Sequence, residues 1–221
     1  MAKQALIQQR PWLLASIAAA GAFYFLRDNP LGEGTWGLLA KGAAVGLLTI
    51  YAWLRVPPER RGLDGALLVT ALVLAAAGDV AIELYFTVGG AFFTAAHCVA
   101  VVLYLRNPRP RKSPSQRMLG LALFIATPLV SYLLSGKAEI ALYGAFLGAM
   151  AAAAWVSRFP RYRVGTGAVL FVISDWLIFS RAGSFDLGVL PDLLIWPLYY
   201  AGQVMIATGV VQCLRGEQPV R

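Results

Sequence analysis

A chain of 221 residues that is 59% hydrophobic and only 14% charged, with a mean hydropathy of +0.66, lies outside the composition of soluble domains and reads as a polytopic membrane protein. The formal net charge of +8 would suit a nucleic-acid partner only if it formed a patch. The basic residues fall instead in short connectors between apolar runs, which makes them orientation signals and contacts for membrane lipids; no nucleic-acid partner is expected.

A helix needs about 20 mostly apolar residues to cross the hydrocarbon. Eight such runs are predicted, near 11–26, 36–54, 64–86, 89–106, 117–135, 138–156, 164–182 and 192–214. The first follows Lys3 and Arg10 as a signal peptide would, but no clear small-residue cleavage site precedes the later runs, so it is read as a retained helix. Arg55, Arg60 and Arg61 follow the second span, and Arg106, Arg109, Arg111, Lys112 and Arg117 the fourth. Arg158, Arg161 and Arg163 follow the sixth, Arg215 and Arg221 end the chain, and Arg27, Lys137 and Arg181 mark the opposite side. This alternation predicts that both termini are cytoplasmic. The expected fold is an all-α polytopic membrane protein: a single bundle of eight transmembrane helices, one domain over 1–221, multi-pass in the cell inner (plasma) membrane.

Among the connectors, RNPRPRKSPSQR (106–117) is rich in Pro and Ser and is expected to be an exposed loop. LRVPPERRG and SRFPRYRVG each lead into an acidic span; a parallel repeat of four plus four helices would leave such an echo, and so would chance similarity between apolar helices. Gly144, Gly148 and the alanines at 151–154 suit close helix packing, either within one chain or in a homodimer, so monomer and homodimer both stay open. Cys98 and Cys213 fall within spans, and no disulfide framework is expected. Trp12, Trp36, Trp53, Trp155 and Trp196 read as interfacial belt residues.

The candidate ionisable residues inside the predicted spans are Lys41, Asp79, Glu83, His97 and Asp175. An Asp or Lys at a helix centre disfavours insertion by roughly 2.5–3.5 kcal/mol on translocon scales, so such residues face the bundle interior and serve function. The reversal between spans three and four is predicted at Thr87-Val88-Gly89-Gly90. At 1.5 Å per residue, Asp79 and Asp175 then lie roughly 10 Å below the outer ends of their spans, Lys41 roughly 8 Å, His97 roughly 12 Å, and Tyr199 and Gln203 about 12 and 18 Å. Residues from five spans share a layer, which predicts a polar cavity opening to the non-cytoplasmic side.

Three carboxyls there face one lysine and one histidine, so not all three are expected to be ionised together. A neutral carboxylic acid beside an ionised one is the pairing used for general acid and base work. Structural alternatives stand beside this reading: snorkelling for Lys41, a headgroup position for Glu83, an interhelical hydrogen bond for His97 and a belt position for Tyr199. There is no GxSxG elbow, HExxH, phosphate-cradling glycine loop or paired CxxC. With a single histidine, no metal or other cofactor is expected. A cation held by Asp79, Glu83, His97 and Asp175 defines one alternative, a metal-dependent lipid hydrolase. Acidic residues at mid-membrane define another, a small-solute or proton-coupled transporter.

The stretch GDVAIELYFTVGGAFFTAAHCVAVVLYL, the helix ending VISDWLIF, the lysine of LLAKGAAVGLL and the YYAGQVMIATG of the last span together resemble the YhhN family of membrane lysoplasmalogenases, in the same order over about residues 36–210. The resemblance implies an acidic catalytic pair at Asp79 and Asp175, with Lys41, His97, Tyr199 and Gln203 as polar helpers that bind substrate; Glu83 is read with them as a substrate-binding residue. It further implies cleavage of the vinyl ether of a lysophospholipid, the lysoplasmalogen, to a fatty aldehyde and a glycerophospho-head group. The family often carries a proline shortly after the lysine, where Gly42 follows here, and that departure bears on the local shape of span two.

Overall fold

Each apolar run becomes one helix. In the computed structural model, which describes residues 10–27, 29, 34–183 and 185–216, α1 is Arg10–Leu26, α2 Thr35–Arg55, α3 Pro58–Leu84, α4 Phe86–Arg106, α5 Pro114–Ser135, α6 Ala138–Val156, α7 Thr166–Ser180 and α8 Leu190–Leu214, with a π-helical turn at Arg161–Gly165 leading into α7. Seven segments are long and apolar enough to cross a membrane, the π turn counting with α7; α1, at 17 residues, is the shorter eighth. The protein is an all-helical polytopic membrane protein. Lys3 and Arg221, used above for orientation, lie outside the described residues, as do the two chain ends.

Large apolar side chains stand exposed along these helices, among them Phe25, Leu63, Leu105, Leu121, Leu133 and Leu142. They would meet lipid tails, where exposure of apolar surface is no penalty.

The chain's contacts group into two compact units, the first comprising residues up to Ala96 together with Leu214 and the residues just after it, the second His97–Cys213. In the first unit α1 packs on α2 and α2 on α3. Ser16 donates to the Ala44 carbonyl at 2.5 Å, spending its hydroxyl where water is absent. The α2–α3 approach is tightest at Gly42, where a Cβ would come within 2.6 Å of the Val80 side chain. Gly42 therefore falls where two helices nearly touch.

Two boundaries differ from the sequence expectation. α3 begins at Pro58, ahead of residue 64, as a short lead-in that breaks at Gly62 (φ 46°, ψ −158°), a backbone position where a side chain would be strained. The reversal into α4 falls at Tyr85 (φ −145°, ψ 105°) and not at the predicted glycines. Tyr85 N–H closes α3 on the Ala81 carbonyl at 2.7 Å, and its own carbonyl accepts from Gly89 N–H at 3.0 Å to open α4. Gly89 and Gly90 are helical. A Cβ on Gly89 would meet Ile82 Cβ at 2.5 Å, so this glycine serves close packing of the hairpin, not a turn.

In the second unit α5 and α6 form the closest pair. Cβ atoms at Gly144 and Gly148 would collide with Ser131 at 2.6 Å and Thr127 at 2.9 Å, so the small-residue face of α6 is used within the chain, against α5. On α5 the hydroxyls of Thr127, Ser131 and Ser135 each donate to the carbonyl four residues back, at 2.6, 2.7 and 2.7 Å. α7 and α8 meet at a second small-residue crossing, where a Cβ on Gly202 would lie 2.6 Å from the Gly167 carbonyl oxygen.

The connectors of this unit sort to two ends. Pro108 bridges Ser157, Arg158 N–H donates to the Asn107 carbonyl at 2.8 Å, and Arg109 donates to the Ser157 and Phe159 carbonyls, both at 3.1 Å. The basic segment predicted as a loose loop is therefore partly pinned. It ends in a capping box, Ser113 Oγ accepting from Gln116 N–H at 3.2 Å while Gln116 Oε1 accepts from Ser113 N–H at 3.0 Å. The loop after α7 meets the C-terminus of α5, since a Cβ on Gly183 would run into the Leu134 carbonyl. The two lead-ins of the suspected repeat use different backbones, a positive-φ break at Gly62 in one and a π turn in the other.

Candidate active site

The second unit assembles a polar chain from three helices. Tyr143, five residues into α6, donates its phenolic proton to Asp175 Oδ2 on α7 at 2.7 Å. On its other side the Tyr143 phenolic oxygen lies 3.1 Å from Nε2 of His97 on α4. A phenol has one proton to give. While it points to Asp175, His97 must donate from Nε2; if Asp175 carries a proton, the chain reverses and Tyr143 donates to His97. The arrangement can therefore hold a proton at either end.

His97 is 3% exposed and Asp175 5%, and aromatic rings enclose them. His97 meets Phe171 edge-on at 5.1 Å and Tyr143 at 5.6 Å, Phe179 packs on Tyr143 at 5.7 Å, and Phe171 packs on Tyr199 at 5.0 Å. Trp196 adds a tilted contact to Tyr199 at 5.6 Å and stacks on Tyr200 at 6.0 Å.

Local sequence positions this wall. Gly202, at the crossing with α7, is followed by Gln203, whose Nε2 reaches Tyr199 Oη at 3.4 Å one turn earlier. Next to Asp175, Ser174 Oγ donates to the Ile195 carbonyl at 2.9 Å and ties α7 to α8. Trp176 Nε1 on the following residue donates to Thr127 O on α5 at 3.4 Å.

The first unit holds the remaining candidates. Lys41 Nζ pairs with Glu83 Oε1 at 2.5 Å, linking α2 to α3, and sits 5.4 Å from the Phe23 ring centroid. Glu83 is therefore more than a headgroup marker. Its carboxylate neutralises the cation expected to receive a phosphate, so Lys41 would have to exchange partners to do so. Asp79, one turn deeper on α3, is 2% exposed. At its neighbour Gly78 a Cβ would meet the Phe93 ring at 3.1 Å, so a glycine there lets the ring pack against the backbone.

A YhhN family model matches residues 36–210 of the chain. The chain belongs to the YhhN family. The match takes in every candidate residue, from Lys41 to Gln203, and leaves α1 outside. No curated protein and no solved structure matches the chain.

For this YhhN member the sequence reading placed Lys41, Asp79, His97, Asp175, Tyr199 and Gln203 in one layer, with Glu83 one turn nearer the surface. Within the units the structure joins Lys41 to Glu83, His97 to Asp175 through Tyr143, and Tyr199 to Gln203. Tyr199, 5% exposed, is no belt residue. Neither is Trp196, also 5% exposed: it faces the aromatic wall, and the belt reading is corrected for it. Trp36 and Trp53 are exposed as a belt requires, and Trp53 carries the Arg61 guanidinium 3.6 Å above its ring. Tyr143 escaped the sequence reading. Depth would have found it, since five residues from the start of α6 is about 8 Å, the layer of Asp175. Among the described residues no three His, Cys, Asp or Glu side chains gather in a metal-holding group, so the metal-dependent alternative gains no donor set there.

Proposed function

We propose that this YhhN protein hydrolyses the vinyl ether of lysoplasmalogens in the membrane, releasing a fatty aldehyde and a glycerophospho-head group. The observation that carries the reading is the buried hydrogen-bonded chain of His97, Tyr143 and Asp175 inside an aromatic wall. It offers a carboxyl group that could protonate carbon, and a vinyl ether needs no serine nucleophile.

Hydrolysis begins when Asp175, in its acid form, protonates the vinyl carbon distal to the ether oxygen, leaving an oxocarbenium ion. The new carboxylate is then held by the hydrogen bond that Tyr143 donates to it. The faces of the aromatic cluster and the carboxylate stabilise the cation. Water adds to the carbon bearing oxygen and returns a proton to Asp175. The hemiacetal then collapses, breaking the bond to the glycerol oxygen, which leaves as a hydroxyl. One water is consumed and no redox step occurs.

Asp79 enters the proposal from the family resemblance as a second carboxylate essential to activity, and Lys41, with Glu83, as the group that receives the head-group phosphate. Tyr199 and Gln203 line the path of the substrate. The protein works in the plasma membrane with its basic connectors cytoplasmic.

Incubation of the purified protein with lysolipids carrying vinyl-ether, alkyl-ether or acyl linkages, with aldehyde detection, tests this reading. Aldehyde is expected from the vinyl ether alone. Cleavage of the acyl lipid alone, or of none, overturns it.

A further inference from the structure

The second unit carries a groove of about 650 Å³ that the catalytic proposal does not use, between α4, α5 and α6. Its walls are apolar, with Leu121 and Phe124 standing 59% and 49% exposed along its flank and Ala152 on its floor. Its mouth is basic: Arg109, Lys112 and Arg117 line it, and no carboxylate does. Arg109 is fixed there by its bonds to the Ser157 and Phe159 carbonyls. The connector 106–117 contains no acidic residue that could neutralise the three.

The floor comes from the half of α6 beyond Ala149, whereas Tyr143 occupies the other half, so the groove and the Asp175 chain lie toward opposite ends of the same helix. From Ala149 to Val156 the groove runs about 10 Å along that helix. A chain that lies in a membrane and has a charged mouth over an apolar slot fits one molecule: a lipid whose head group is anionic and whose acyl chain lies down the slot. Soluble anions would leave the apolar walls bare. A zwitterionic lipid would bring a cation against three others.

We propose that this groove is a binding site for an anionic diacyl phospholipid, its head group held by Arg109, Lys112 and Arg117 and one acyl chain laid against Leu121, Phe124 and Ala152. In the orientation proposed above it draws on the cytoplasmic leaflet, the anionic one.

Native mass spectrometry of the full-length protein in micelles doped with phosphatidylglycerol or phosphatidylcholine tests it. The protein is expected to hold phosphatidylglycerol about tenfold more tightly. The Lys112→Gln, Arg117→Gln double variant should bring the two lipids to parity. Ala152→Phe fills the slot and should release the lipid while leaving the charges in place, which a diffuse electrostatic attraction would not predict. Glycerol 3-phosphate, offering the anion without the chain, should not displace it. Equal binding of the two lipids, a double variant that keeps the preference, retention by Ala152→Phe or displacement by glycerol 3-phosphate each overturns the proposal. Should the double variant fail to fold, the Ala152→Phe comparison decides alone.

Discussion

Tyr143 shows what a single hydroxyl can do in a dry setting. Its bond to Asp175 is one that strengthens when the carboxylate is charged, and a hydrogen bond to a charged group contributes about 1.5–3 kcal/mol. Tyr143→Phe keeps the ring contact with Phe179 and removes the hydroxyl's bonds to Asp175 and His97, so kcat for aldehyde release should fall roughly 10- to 100-fold. Asp175→Asn should abolish turnover, because the amide has no proton to give to carbon; a fully active Asn variant would exclude Asp175 as the acid. The acids and the histidine were legible in sequence through the free energy that their presence in a span demands. Tyr143 was not, since tyrosine is ordinary at membrane interfaces and nothing local ties it to a partner 32 residues away. For Glu83 the headgroup alternative stood for the opposite reason: near a helix end, a carboxylate looks like solvent-facing decoration until the lysine of another helix is seen on it. A double-mutant cycle of Lys41→Met and Glu83→Gln should show the pair coupled, with each single change lowering stability more than the two together do.

At the scale of elements, glycine placement decides which helices can touch. Gly144, Gly148 and Gly202 all stand where a Cβ would fall inside the neighbouring helix. Overpacking of this kind typically destabilises by about 1–3 kcal/mol. Gly202→Val should therefore lower the thermal midpoint in detergent and also reduce activity, because Tyr199 and Gln203 flank that crossing. Gly21→Val is a suitable control: no neighbouring atom lies within 4 Å of a Cβ there, and its midpoint should hold. The eight helices were legible because membrane spans declare themselves by apolar length alone. The hairpin tip was not. Gly89-Gly90 has the chemistry of a turn, yet the backbone turns at Tyr85, an aromatic residue in extended geometry, because the glycines are needed for contact with Ile82. Start signals misled in the same way at α3, whose first turn is charged and so invisible to a hydropathy window.

For the whole molecule the testable matter is sidedness. Within the second unit, the connectors after α4 and α6 are bonded to each other at one end, and the α7 loop meets the end of α5 at the other. That is the alternation the arginines and lysines predict. In a background lacking Cys98 and Cys213, Lys137→Cys should react with an impermeant maleimide on intact cells, and Arg111→Cys only after permeabilisation. Reversed labelling would invert the proposed orientation, and with it the leaflet assigned to the groove.

The reversal at Tyr85 reaches beyond geometry. Proteases require several residues of pliable backbone standing in water. Here a single extended residue separates two helices, flanked by Leu84 and Phe86, 62% and 54% exposed. Such a corner suits the lipid interface and offers a protease no handle. The neighbourhood of Glu83 is thereby left to traffic arriving through the bilayer, the route that the lipid substrate proposed above would take.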